Sequence, residues 1–162
     1  MTSEQPKINR RVAPVAMLNR RASFAYINGI AIVISDIDKW TDELVMEFVE
    51  EQAKMAGNES AIANITHFFG EVFGAHHRKL IVEWISKKGL TPSARTAMVT
   101  DSVLMRAALT AYSMLTRTRA KAFEPKEIVA MCQWITEGTG INPEEVRDSL
   151  EACYKLIGKR VG

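Results

Sequence analysis

Hydrophobic and polar positions alternate with a strand-like period near the start of the chain. Two apolar segments, 22–27 and 30–36, flank Asn28-Gly29. This dipeptide favours a tight hairpin because both positions of a type I′ turn need a positive φ. Almost every position of the second segment is apolar, which is typical of a strand in the middle of an α/β sheet. The two segments therefore predict a β-hairpin within a covered sheet.

A helical period follows the hairpin and recurs to the end of the chain. The spacing predicts helices over about 41–55, 76–87, 102–115, 125–137 and 143–157. Strand-like segments separate them at about 60–69, 96–99 and 120–123. Alternation of this kind implies a largely parallel sheet, because each parallel neighbour is reached through a crossover helix. We therefore predict one α/β domain with a mixed, mostly parallel sheet of four or five strands and four or five helices.

The pattern divides this domain from a segment at each end. We predict a basic N-terminal arm at 1–19, the α/β domain at 20–137, and a C-terminal helix packed on it within 138–162. The largest apolar residues in phase with the predicted elements are expected in the core. They are Ile32, Val33, Phe48, Trp84, Leu109 and Trp134.

The amino-acid composition is consistent with a globular domain and does not change this prediction. The 162 residues are 47% hydrophobic and 25% charged, with a formal net charge of +2, which is ordinary globular composition. Five basic residues and one acidic residue fall within 1–21. Such an arm can touch an acidic partner, but a solvated leader is the interpretation we favour. A nucleic-acid partner is therefore not expected.

The cysteines and the apolar runs indicate a cytoplasmic protein. Cys132 and Cys153 have no CxxC spacing and cannot form a disulfide framework, which favours a reducing compartment. The longest apolar stretch, 29–34, is far shorter than the ~20 residues that cross a bilayer. The basic residues within 1–21 have no apolar core behind them, so we expect no secretory segment. We expect no transmembrane segment.

No catalytic signature is present in the sequence. Dinucleotide-binding, P-loop, zinc-protease, serine-hydrolase and zinc-spaced Cys/His motifs are all missing. His76-His77 is the one local pair that could bind metal, but adjacent helix positions point about 100° apart, so the pair is not expected to hold one ion. Cys132 and Cys153 fall on helical apolar stripes and are expected to be small buried hydrophobic residues. We predict no metal, no cofactor and no catalytic residue.

Three segments carry a resemblance to a known family. They are the hairpin over 24–35, the run over 97–107 and the strand-to-helix unit over 120–135. Together they resemble the sulfate-transporter and anti-sigma-factor-antagonist (STAS) fold, in the small bacterial branch related to the CRAL-TRIO lipid-transfer fold. The resemblance covers about 20–137 and rests on apolar patterns and turns, so it implies a fold more than a function.

The sequence departs from the family where a partner kinase phosphorylates a serine. Classical members carry that serine at the start of a helix, whereas 70–77 of this chain contains no Ser or Thr. The resemblance still implies docking at this helix start, which offers unpaired backbone N–H groups. A second candidate segment follows a later strand, where Ser102 is expected to cap a helix. The partner-binding candidates are Gly70, Glu71, Gly74, His76, His77, Thr100, Asp101 and Ser102.

Two functions remain open at this point. The first is a non-enzymatic cytoplasmic regulatory module that binds a protein partner, as the STAS resemblance implies. The second is a carrier or sensor of a small apolar ligand, which the related lipid-transfer fold and the apolar helices suggest. A second copy of the chain is a further partner that the sequence leaves open.

Overall fold

The structure, a computed structural model, describes residues 9–57, 61–90, 93–116 and 118–160, without the side chains of residues 112, 115 and 116. The strands are β1 (Arg11–Met17), β2 (Ala22–Ile27), β3 (Ile30–Ser35), β4 (Ala63–Phe68), β5 (Arg95–Val99) and β6 (Arg119–Phe123). The helices are α1 (Asp42–Met55), α2 (Ala75–Lys87), α3 (Val103–Thr116), α4 (Ile128–Thr136) and α5 (Pro143–Leu156), with a short 3-10 turn at Pro125–Glu127 before α4.

The strands form one sheet in which the spatial order follows the chain order from β1 to β6. The first three strands are antiparallel neighbours, and β3 to β6 run parallel. Each crossover after β3 advances by one strand in the same direction, so right-handed connections place α1, α2 and α3 on one face. On the other face α5 packs against β1, β2 and β3, and α4 packs against β4 and β5. The predicted α/β class is confirmed, with six strands instead of four or five.

The predicted hairpin lies inside the sheet, between β1 and β4. Asn28 and Gly29 adopt φ angles of 46° and 103°, as the predicted turn requires. Six residue pairs join β2 to β3, and every residue of both strands is buried. Their alternate side chains therefore supply apolar surface to both faces of the sheet.

The strand that the sequence pattern did not predict is β1, which lies in the segment predicted to be a basic N-terminal arm. β1 pairs with β2 at the edge of the sheet, with an irregular register between Val12 and Val15. Pro14 lies within that irregularity, and proline is tolerated in edge strands and bulges because it cannot donate to the ladder. The assignment of residues 11–17 to an arm is therefore wrong. The weak strand propensity of a proline-containing segment explains why the pattern did not reveal it.

The helix starts agree with their capping signals. The hydroxyl of Thr41 accepts a hydrogen bond from the Leu44 N–H at 3.2 Å, at the start of α1. The side chain of Asn142 accepts one from the Glu144 N–H at 2.9 Å, at the start of α5. Both contacts satisfy backbone donors that the first turn leaves without an intrahelical partner.

The apolar core has one layer on each face of the sheet. Four of the six predicted core residues are buried, namely Ile32, Val33, Phe48 and Leu109. The prediction is wrong for Trp84 and Trp134, which are half-buried. Trp134 lies at the margin of the α4–α5 layer, where the Arg119 guanidinium covers its ring at 5.7 Å. Trp84 borders a cavity on the opposite face.

Candidate functional site

A cavity of about 370 Å³ lies between the sheet and helices α1 and α2. Its floor consists of side chains from β2, β3, β4 and β5, and its roof consists of side chains from the two helices. The space exists because α2 packs mainly against α1 and has no buried residue among its thirteen positions. Its volume falls within the range of about 300–1,000 Å³ that is usual for small-molecule sites.

Aromatic rings dominate one part of the cavity wall. Phe73 lies 6.0 Å from Phe48 and 5.1 Å from Phe68, measured between ring centroids. All three residues line the cavity, and Trp84 lines it as well. Rings arranged in this way provide a rigid apolar surface for a ligand.

Polar groups lie on the cavity floor, mainly on β4. The side-chain amide of Asn64 donates a hydrogen bond to the Ser93 hydroxyl at 3.0 Å. Asn64 Oδ1 and Thr66 Oγ1 are buried and have no hydrogen-bond partner among the described residues. Thr96 of β5 is the register partner of Asn64 and also lines the cavity. The floor therefore combines an apolar sheet with a short strip of hydroxyl and amide groups.

Sequence reasoning missed the cavity, although β4 carries a signal for it. A central parallel strand covered on both faces is normally apolar throughout. In β4, Asn64 and Thr66 alternate with the buried Ala63 and Ile65. Two polar residues on the same face of a central strand indicate that this face is not fully packed by a helix.

Two of the predicted partner-binding residues, Gly70 and Glu71, make contacts within the protein. The Glu71 carboxylate accepts a hydrogen bond from the Trp40 backbone N–H at 2.7 Å, and the Glu71 carbonyl accepts one from the Trp40 indole at 2.9 Å. Gly70 lies so close to Ile37 that a Cβ atom built on it would be 2.2 Å from the Ile37 carbonyl oxygen. Gly70 and Glu71 thus join the loop after β4 to the loop after β3.

Gly74, His76 and His77 lie at the start of α2, as predicted. Gly74 is the N-cap residue, and it has no side chain to accept a hydrogen bond from the first turn of the helix. The Nε2 atoms of His76 and His77 lie 3.0 and 3.3 Å from the same Oδ1 atom of Asp42. The two rings converge because Asp42 comes from the neighbouring helix α1, a tertiary contact that helix periodicity does not reveal. The hydrogen bond from His76 is the main cause that lowers the pKa of Asp42, and His77 contributes.

The second predicted segment precedes α3. Ser102 Oγ accepts a hydrogen bond from the Met105 N–H at 3.2 Å, and Thr100 Oγ1 accepts one from the Ser102 N–H at 3.1 Å. Ser102 is thus a helix cap, as expected, and Asp101 is exposed. This segment and the α2 start lie at the carboxyl ends of neighbouring parallel strands, although their described hydrogen bonds do not run between them.

Exposed apolar residues follow this segment on α3. Val103 and Leu104 are 80% and 79% exposed, and Met114 is 79% exposed. Three alanines between them are exposed as well, Ala107, Ala108 and Ala111. These six residues form one stripe along the helix, which we call the α3 face.

His67 lies in a small cluster on the opposite side of the sheet. Its Nδ1 atom and the Tyr154 hydroxyl are hydrogen-bonded at 2.6 Å, and its ring stacks on Phe69 at 3.9 Å. Lys159 covers Phe69 at 5.0 Å and pairs with Asp36 at 3.1 Å. Burial lowers the pKa of His67 to about 4, because a low-dielectric site disfavours the charged imidazole.

The two cysteines and the possible metal ligands are the remaining candidate groups. Burial raises the pKa of Cys132 to about 11 and that of Cys153 to about 12, so both are buried thiols, as expected. Within the part of the chain that the structure describes, no group of three or more His, Cys, Asp or Glu side chains is arranged to hold a metal ion. Over the same residues, no helix combines the length and apolarity needed to cross a membrane.

Comparison of the chain with protein-family models, curated proteins and solved structures found no match. The STAS resemblance therefore stays a prediction.

Proposed function

We propose that the protein binds a small, largely apolar molecule in the cavity between the sheet and helices α1 and α2, as a carrier or sensor. The observation that carries this proposal is the cavity itself, about 370 Å³ in volume and lined by aromatic side chains. The cavity is partly open to solvent, since Val82, which lines it, is 61% exposed. Its apolar wall is therefore in contact with water when the cavity is empty, and a ligand that fills it removes this apolar surface from water.

A substitution that fills the cavity tests this proposal. Ala53 is a half-buried residue of α1 that lines the cavity, so Ala53→Phe places a ring inside it. Ala130→Phe on α4 is the matched control, because Ala130 is exposed and is not a lining residue. The probe is phenylnaphthylamine, a neutral dye whose fluorescence rises in apolar sites.

We expect the dye to bind the wild-type protein and Ala130→Phe equally, and to bind Ala53→Phe at least about tenfold more weakly. Circular dichroism should show that both variants stay folded. Native mass spectrometry of the gently purified wild-type protein should reveal a co-purifying small molecule that Ala53→Phe lacks. Equal dye binding by all three proteins would contradict the proposal.

A second candidate function is the protein-interaction module of the STAS type. The observation that favours it is the α3 face, which begins with the exposed Val103 and Leu104 immediately after the predicted segment 100–102. Contiguous exposed apolar residues often mark interaction sites. A protein partner that docks on the α3 face would not depend on phosphorylation within 70–77, which contains no Ser or Thr.

Leu104→Lys tests the second candidate, because the side chain is 79% exposed and its replacement should leave the free energy of unfolding unchanged within about 0.5 kcal/mol. Val129→Lys on α4 is the control, at a residue that is 50% exposed. A stoichiometric protein that crosslinks to the wild type should also crosslink to Val129→Lys but not to Leu104→Lys. Retention of this protein by Leu104→Lys would move the docking surface elsewhere.

A further inference from the structure

The chemistry of the cavity wall narrows the ligand class. Among the described residues that line the cavity, none is charged: every polar one bears a hydroxyl or a carboxamide, and the rest are apolar. A carboxylate, phosphate or ammonium group in such a site would lose its hydration without gaining an opposite charge. The wall therefore disfavours ligands that place a charged group inside the cavity.

The polar strip on β4 adds a second property. Asn64 Oδ1 and Thr66 Oγ1 are buried without a partner among the described residues. An unpaired buried polar group costs free energy, and a hydrogen bond from a ligand removes that cost. The Asn64 amide is already oriented by its hydrogen bond to Ser93, which leaves its carbonyl oxygen as an acceptor.

The two atoms lie within the wall, so recognition includes a small side-chain movement. Thr66 is half-buried and borders the cavity, and rotation about its Cα–Cβ bond exchanges the hydroxyl for the methyl group at the cavity surface. A ligand hydroxyl can then pair with the threonine hydroxyl, which both donates and accepts.

We propose that the cavity selects an uncharged molecule with an aromatic or alicyclic body and a hydrogen-bond-donating group, such as a hydroxyl, directed at Thr66 on the floor. This inference depends on the proposed cavity function and adds the chemical class of the ligand. A ring-shaped apolar body matches the phenylalanine-rich wall, because it can pack against the rings of Phe48, Phe68 and Phe73. The neutral donor matches the unpaired hydroxyl of Thr66.

Three naphthalene derivatives that differ in one substituent at the same ring position test the class. Naphthol is neutral and donates a hydrogen bond, methoxynaphthalene is neutral and cannot donate, and naphthoate is charged. In calorimetric titrations of the wild-type protein we expect naphthol to bind about three- to tenfold more tightly than methoxynaphthalene. Naphthoate should bind at least about a hundredfold more weakly than naphthol.

Thr66→Val is the decisive variant, because valine conserves the shape of threonine and removes the hydroxyl. Naphthol should lose its advantage over methoxynaphthalene, to less than about twofold, while methoxynaphthalene binds as before. The melting temperature of Thr66→Val should not fall, since an unpaired buried hydroxyl is replaced by a methyl group. Thr110→Val, on the exposed side of α3, is the control and should keep the wild-type preference.

The outcomes separate this inference from the proposed function. The proposed ligand class is wrong if the wild type binds methoxynaphthalene with the same affinity as naphthol. It is also wrong if the wild type binds naphthoate as tightly as naphthol. Neither result would contradict a binding site in the cavity. If Thr66→Val keeps the preference for naphthol, the role of Thr66 is wrong. If none of the three compounds distinguishes the wild type from Ala53→Phe, the cavity function itself is wrong.

Discussion

At the scale of single residues, His67 makes folding depend on pH. Its imidazole is largely buried, and burial lowers its pKa from 6.5 to about 4. The unfolded chain therefore binds this proton more readily than the folded protein does. The resulting stability is fully present above about pH 6.5 and is lost as the pH falls towards 4, the depressed folded value.

We expect the free energy of unfolding to fall by about 2 kcal/mol between pH 7 and pH 5, because His67 becomes protonated in the unfolded chain but not in the folded protein over this range. His67→Gln removes the titration while keeping a side chain that can bond to the Tyr154 hydroxyl. Urea unfolding of both proteins at the two pH values isolates the histidine contribution, because carboxylates titrate in both. The same pH dependence in the variant would show that His67 is not the group responsible.

Gly70 and Gly74 were predicted to belong to one docking segment, but their surroundings differ. A Cβ at Gly70 would meet the Ile37 carbonyl oxygen at 2.2 Å, whereas nothing lies within 4 Å of a Cβ at Gly74. We expect Gly70→Ala to lower the free energy of unfolding by about 3 kcal/mol, since backbone must move. Gly74→Ala should cost less than about 1 kcal/mol, the difference between these residues at an N-cap. Equal costs in chemical denaturation would disprove the close approach.

At the scale of elements, α2 and α5 differ in how firmly they are held. α2 has no buried residue, while α5 buries Val146, Leu150, Cys153 and Tyr154. Local opening requires little free energy where few apolar contacts are lost. We therefore expect amide hydrogens of α2 to exchange faster than those of α5, measured by mass spectrometry of peptic fragments. Equal protection would mean that α2 opens only with the whole domain.

Element-scale patterns also explain which features the sequence could predict. The hairpin and the helix starts follow from local chemistry, because Asn28-Gly29, Thr41 and Asn142 act within a few residues. β1 did not follow, because its Pro14 weakens the strand signal and only pairing with β2 stabilises it. The sequence pattern also did not predict that Trp84 is only half-buried. A helical pattern identifies an apolar face but not the distance between that face and the sheet.

In the candidate sites, too, local features were predicted from the sequence and tertiary contacts were not. The cap made by Ser102 is local, and it was predicted from the sequence. The convergence of His76 and His77 on Asp42, and the docking of Glu71 against Trp40, depend on how neighbouring loops meet. The cavity is the extreme case, because it arises from a space between elements and no single residue encodes it.

At the scale of the whole molecule, the two thiols report global unfolding. Cys132 and Cys153 belong to the core layer between the sheet and helices α4 and α5. We expect iodoacetamide to leave both thiols unmodified in the native protein near pH 8. Their common rate of modification should rise only with urea concentrations that unfold the domain. Modification of one thiol well before the other would show that the α4–α5 layer opens in parts.

The order of strands has a consequence for the way the chain folds. Neighbouring strands in the sheet are consecutive in the chain, so each pairing has to close only a turn or a single crossover with one helix. α5 is different, because it returns to the first strands, where the Ser23 hydroxyl donates to the Cys153 carbonyl 130 residues away. During synthesis the sheet can therefore assemble strand by strand, while the isoleucine-rich face of the hairpin stays exposed until α5 packs against it. Until α5 leaves the ribosome, that side is open to chaperones and to other nascent chains.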